Sequence, residues 1–269
     1  MSIDKAEAAL RAGDLGSALT ALQDAVKAAP GNPKLRVFLF QLLCVQGQWQ
    51  RALNQLNVCG ELDAEALLMR EMYRDVIGCE ALRTEVFAGR RSPMLFGEPE
   101  PWLALLIESM LRTGVGELDA AAQLRAQAFD QAPASSGTVD GTPFDWMADA
   151  DPRMGPVLEA LINGRYYWVP FSRLMRIAMQ PPEDLRDFVW VPAALQFSNG
   201  GETAALLPVR YPGSEASSDG LIALSRKTEW LDQGNDLFHG LGQRLLATDT
   251  GEYPLLQCRE ILFNEATSE

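Results

Sequence analysis

A 34-residue period runs through the first half of the chain, and no other feature narrows the possible folds as much. AGDLGSALTALQDAVKAAP (Ala12 to Pro30) matches QGQWQRALNQLNVCGELDA (Gln46 to Ala64) slot for slot. Gly13 and Gly47 are 34 residues apart, as are Leu15 and Trp49, Ala18 and Ala52, and Leu22 and Leu56. A third copy, VGELDAAAQLRAQAFDQAP (Val115 to Pro133), places Gly116, Leu118, Ala121, Ala128 and Pro133 in the same slots. Gly47 and Gly116 are 69 residues apart, two periods plus one. A degenerate unit therefore fits between them, around EALLMREMYRDVIGCEALRTEVFAGRRSP.

A period of this length is the signature of tetratricopeptide repeats, each a pair of antiparallel helices. Glycine permits the tight turn between the helices, and small residues such as Ala18, Ala25 and Ala128 let them approach closely. Pro30 and Pro133 stop the second helix of their units. The first unit is short and begins near Ile3. Phe40 stands where a small residue is usual, so packing there departs from the standard form. AGRRSPMLFGEPEP interrupts the array with proline and glycine. Stacked helical pairs form a curved surface that binds a peptide or helix. By repeat geometry Lys34, Val37, Gln41 and Cys44 face the concave side from the second unit, and Leu106 and Met110 from the third full unit.

The pattern changes near Pro133. APASSGTVDGTP is a loop by composition. In DPRMGPVLEALINGRYYWVPF, Asp151 is a good N-cap and Pro152 sits at the favoured first helical position. Val157, Leu158, Leu161 and Ile162 then share a helical face, with Asn163-Gly164 as the left-handed stop. RYYWVPF reads as a strand. Its alternation buries some side chains and leaves others, such as Arg165 and Tyr167, as candidate partner contacts beside a core-packing role. DFVWVPAALQF and ETAALLPVRY flank Ser198-Asn199-Gly200-Gly201, a strong hairpin turn. QRLLATD and EYPLLQCREILF flank a second turn at Thr250-Gly251. GLIALSRKTEWLDQGNDLFHGLG is ambiguous. The expectation is a multidomain chain with a tetratricopeptide-like α-α superhelix over residues 1–133. A smaller α+β domain with an antiparallel sheet follows over 134–269.

Candidate chemistry is sparse. FDWMADADPRMG brings Asp145, Asp149 and Asp151 close together beside Trp146. The helix-capping reading gives Asp151 the cap and Asp149 a favourable charge near the N-terminus. A hard-cation site needs more oxygen ligands at regular spacing with a glycine turn. A hydrolase using these carboxylates is a rival reading, and it needs one with a raised pKa in a pocket. A self-assembling structural component is another. The sole histidine, His239, leaves little room for a Ser/His/Asp triad or a histidine-rich metal site. Cys44, Cys59, Cys79 and Cys258 are scattered and read as buried free thiols. HGLGQR is not followed by a helix-opening phosphate cradle, and no nucleotide motif is present. No cofactor is expected.

The formal net charge of −13 argues against nucleic acid and anionic membranes as partners. No apolar run approaches the ~20 residues that span a bilayer. The start MSIDKAEAALRAGDL lacks a basic segment followed by an apolar one, so no signal peptide is expected and a cytoplasmic location fits.

Several segments together resemble one family. FGEPEPWLALL, AQAFDQAP, GTPFDWMADADPRMGPVLEALINGRYYWVPF, DLRDFVWVPA, NGGETAALLPVRYPGSE, RKTEW and GLGQRLLATDTGEYPLLQCREI are similar to the ImpE/TagJ family, accessory proteins of type VI secretion systems. The resemblance spans nearly the whole chain. It implies a cytoplasmic, non-enzymatic protein. Some members bind the N-terminal helix of the small subunit of the contractile sheath. The family is linked to the ClpV-type AAA+ ATPase that takes contracted sheaths apart. The implied role is an adaptor with a modulatory effect on sheath disassembly.

Overall fold

A computed structural model describes residues 2–234 and 237–265. The repeats form the expected antiparallel helical pairs. The first is α1 (Ser2–Arg11) with α2 (Leu15–Ala28), the second α3 (Pro33–Val45) with α4 (Trp49–Leu62). In place of a degenerate pair stands one 21-residue helix, α5 (Leu67–Phe87). After a short strand, β1 (Met94–Leu95), the pair α6 (Pro101–Gly114) and α7 (Leu118–Gln131) completes the array. Gly13, Gly47 and Gly116 occupy the inter-helix turns with φ of 77°, 63° and 81°, a region that favours glycine. The Asp14 carboxylate accepts from the Ser17 N–H at the start of α2, and Asn32 does the same for Lys34 ahead of Pro33 at the start of α3. Phe40 is fully buried and meets Tyr73 of α5 edge-on at 5.7 Å.

The remaining strands are β2 (Gly137–Val139), β3 (Thr142–Phe144), β4 (Met147–Asp149), β5 (Val157–Ile162), β6 (Arg165–Pro170), β7 (Leu174–Met179), β8 (Trp190–Phe197) and β9 (Glu202–Pro208). A short helix, α8 (Gly220–Ala223), precedes β10 (Thr228–Asp232), β11 (Phe238–Gly242), β12 (Leu245–Thr248), β13 (Glu252–Pro254) and β14 (Glu260–Phe263). The sheet is larger than expected. Nine strands run in the order β1-β6-β5-β9-β8-β7-β14-β2-β3, antiparallel except for the β1–β6 pair. Both expected hairpins form, β8–β9 across Ser198–Gly201 and β12–β13 across Thr250-Gly251. The ambiguous stretch becomes α8 and the β10–β11 hairpin.

The helix expected after Asp151 is a strand. Residues 151–154 make a tight turn, and Val157–Ile162 is β5, paired with β6 on one side and β9 on the other. All six of its residues are buried. A strand covered on both faces loses its polar alternation and reads like a helical segment in periodicity. Asn163-Gly164, with φ of 50° and 72°, is the hairpin turn into β6 rather than a helix stop.

One sheet face carries Val139, Leu158, Val169, Ile177, Leu195 and Phe263 into a core closed by β4, β12 and β13. The other face packs on the helices. Trp190 of β8 lies between Trp49 at 5.7 Å and Tyr73 at 6.0 Å, so α4, α5 and the sheet share one core.

Candidate functional site

The three aspartates do not converge. Asp145 is exposed in the turn before β4. Asp149 is buried at the end of β4, where its carboxylate pairs with Arg244 and accepts from the Tyr211 hydroxyl at 3.0 Å and the Asp151 N–H at 2.8 Å. Burial lifts Asp149 to about 6 despite Arg244, and the neighbouring Asp151 charge adds to the rise. Asp151 caps no helix. It accepts from the backbone N–H groups of Arg153 at 3.0 Å and Gly240 at 2.9 Å, and its ion pair with the Arg153 guanidinium holds it low against the effect of burial. Every carboxylate oxygen of this pair already faces a donor inside the protein. The raised pKa of Asp149 therefore belongs to a structural ion pair.

That pair belongs to a larger buried network. Glu159 of β5 takes Arg83 of α5 through Oε1 at 2.7 Å and Oε2 at 3.0 Å, pairs with Arg244, and accepts from the Tyr166 hydroxyl at 2.6 Å. Burial alone would raise Glu159, but Arg83 and Arg244 bring it down to about 2. Glu80, one turn before Arg83, accepts from the Trp190 indole at 2.7 Å. These bonds tie α5 to the sheet. Buried charges are tolerated because each has a partner of opposite sign and further hydrogen bonds.

The same junction relocates half of the expected partner contacts. Gln41 is buried, and its side-chain oxygen accepts from the Leu185 N–H at 3.2 Å. Cys44 is fully buried. Its carbonyl, like that of Val45, is capped by Arg210, which the second half of the chain inserts at the end of α3. Burial pushes its thiol far above the ordinary range. Leu106 and Met110 are also core residues. The repeat face expected to receive a partner is thus closed at Gln41 and Cys44 by the chain's own second half. Lys34 and Arg165 remain exposed, and Val37 and Tyr167 are half-buried, Tyr167 against Phe96 at 5.6 Å.

Closure is incomplete beside the first half of α5. A cleft of about 680 Å³ lies between that helix, the 3-10 turn Leu185–Phe188, and strands β5, β8 and β9. Leu68 and Met72 form one wall, one helical turn apart, and are 81% and 45% exposed. Leu161, Leu206 and Pro192 lie side by side across three strands as its floor. Glu71, Asp75, Glu183 and Asp184 stand at its edges. Sequence reasoning missed this site, because its helix lies in the degenerate unit where the repeat pattern assigns no roles. A smaller cleft of about 430 Å³ lies beside Phe129 and Trp146.

Comparison with known proteins fits this architecture. A tetratricopeptide repeat model matches residues 9–68, and the ImpE protein model matches residues 141–262. A Pseudomonas aeruginosa protein named type VI secretion system accessory component TagJ is 53% identical over 258 residues, 96% of this chain and 90% of that one. The chain belongs to the ImpE/TagJ family. The crystal structure of protein VPA1032 from Vibrio parahaemolyticus shares the fold of this family member, with a TM-score of 0.88 at 23% identity over 97% of this chain and 98% of that one. The helix α5, which walls the cleft, lies almost wholly between the two matched regions. Among the described residues, no helix is long and apolar enough to cross a membrane.

Proposed function

We propose that this ImpE/TagJ family member is a cytoplasmic accessory component of a type VI secretion system. It works as a non-enzymatic adaptor: it binds the N-terminal helix of the small sheath subunit and assists sheath disassembly by the ClpV-type AAA+ ATPase. The observation that carries this reading is the 53% identity to a protein named as such an accessory component, along 96% of the chain. The helical repeats support a protein-binding role, since stacked helical pairs offer extended surfaces to peptides and helices. Of the three aspartates that suggested hydrolysis, Asp149 and Asp151 are engaged with Arg153, Arg244 and Tyr211 and Asp145 stands apart from them, which favours scaffold over catalyst.

The test is calorimetric titration of the full-length protein with a synthetic peptide of the small sheath subunit's N-terminal helix from the same secretion cluster. The expected result is saturable binding at micromolar affinity or tighter, about −8 kcal/mol. Absence of heat, together with no co-purification of the intact sheath subunit or the ATPase, overturns the adaptor reading.

A further inference from the structure

We infer that the cleft between α5, the turn Leu185–Phe188 and strands β5, β8 and β9 is the docking site for an amphipathic helix with Lys or Arg flanking its apolar face. This rests on the adaptor reading and adds to it the surface and the chemistry of the partner.

The apolar content is laid out for a helix. Leu68 and Met72 lie on successive turns of α5 and both are exposed, Leu68 at 81%. Val76 continues the line one turn further and also lines the cleft. Opposite them, Pro192 pairs with Leu206 across β8–β9, and Leu206 with Leu161 across β9–β5, giving a transverse apolar row. The next pair on the same face of β8–β9 is Ala194 with Ala204, both exposed, so the floor stays low beside the taller wall of α5. A helix laid there packs on the sheet face as α5 itself does, with anchors at i, i+3 or i+4 and i+7.

Charge selects the occupant. The lining carries Glu71, Asp75, Glu183 and Asp184, with Asp187 buried behind them as acceptor for the Glu183 and Asp184 N–H groups, against one cation, Arg186. That guanidinium lies 4.9 Å over the Tyr73 ring and pairs with Asp184 through Nη2, while its Nε and Nη1 are buried without a hydrogen-bond partner among the described residues. Arg70 and Arg74 pair with Glu71, and Arg74 also reaches Asp75, so the α5 edge is partly balanced. With Arg70, Arg74 and Arg186 set against Glu71, Asp75, Glu183, Asp184 and Asp187, three cations face five carboxylates, and the surplus stays acidic. A second copy of this chain, at −13, brings like charge to a like-charged rim. A helix with Lys or Arg beside its apolar stripe meets both requirements, and its charges gain most at the rim, where they steer encounter and reject acidic competitors.

The experiment titrates three labelled peptides into the full-length protein by fluorescence anisotropy. They are the sheath-subunit N-terminal helix, an idealised Leu/Lys amphipathic helix of about 14 residues, and its Leu/Glu counterpart. The Leu/Lys peptide is expected to bind and the Leu/Glu peptide to fail. Leu68→Glu with Met72→Glu is expected to weaken Leu/Lys binding about tenfold or more. The double variant keeps the wild-type circular dichroism, since both side chains are exposed. Asp75→Lys with Glu183→Lys is expected to shift preference toward the Leu/Glu peptide, and Trp146→Glu in the smaller cleft to change nothing. Leu/Lys binding that survives the double variant, or equal binding of both idealised peptides, overturns the inference. So does a wild-type dimer in sedimentation that this variant converts to a monomer. A sheath peptide that binds regardless of the variant leaves the adaptor reading intact and removes the cleft. A Leu/Lys peptide that binds at the cleft while the sheath peptide does not leaves the cleft and removes that partner.

Discussion

The helical hairpins and the junction beneath them use charge in opposite ways. On the α6–α7 pair, Arg112 bonds to Glu108 and Glu117 with all three side chains 41–51% exposed. Water and salt screen such pairs, and they add little to stability. At the junction Arg83, Glu159 and Arg244 are at most 4% exposed, and each bonds across from one structural element to another. Removing one member leaves its partners charged in a dry interior. The hairpins therefore tolerate change at their ion pairs, while the junction fixes how repeats and sheet sit together.

The largest expected effect comes from separating the two regions. A fragment of residues 1–133 is expected to lose cooperative unfolding, because it uncovers Phe40, Tyr73 and Val76 along with Glu80 and Arg83. A sharp, two-state melt of that fragment, followed by circular dichroism, contradicts the shared core. Next is Glu159→Ala in the full chain, which removes the carboxylate that Arg83 and Arg244 share. The expected loss is about 3–5 kcal/mol in urea unfolding, and a loss near zero means the network is dispensable.

Acid separates the two buried carboxylates of the network. Glu159 sits at about 2 against an ordinary 4.5, so its contribution is complete above pH 4.5 and is lost as pH falls toward 2. Asp149 is displaced upward, to about 6 from an ordinary 3.8. Its contribution is complete below 3.8 and is lost as pH rises through 6. Unfolding free energies measured from pH 2 to 7 are expected to lose the acid-side fall in Glu159→Gln and the opposite slope in Asp149→Asn. The smallest effect is Arg112→Ala, for which no change in melting temperature is expected. A clear drop there erases the contrast between the two regions.

How much the sequence disclosed follows the same division. The hairpins repeat, so Gly13, Gly47 and Gly116 announce their turns from spacing alone. The β8–β9 and β12–β13 hairpins carry turn residues between strand-like runs and are equally legible. The β5 segment is not, because burial on both faces removed its alternation and left VLEALI resembling a helical stripe. Asn163-Gly164 suits a helix stop as well as a hairpin turn, and Asp151-Pro152 mimics a helix start. The ionic network draws Arg83, Asp149, Glu159 and Arg244 from four distant places, and no spacing rule links them. Gln41 and Cys44 lie on the expected face of α3, yet that face is covered by Arg210 and Leu185 from far along the chain. The acid-edged cleft was hidden for the same reason, since its wall and floor meet only after the sheet has docked.

The sheet closes the repeat array at Gln41 and Cys44 and leaves the α5 cleft open as the proposed docking surface. Hydrogen exchange on the full-length protein, with and without the intact small sheath subunit, tests it most directly. Slowed exchange over residues 67–76 and 183–187 is expected on binding, with the β10–β11 hairpin unchanged. Protection confined to other surfaces, with the cleft segments exchanging as in the free protein, contradicts it.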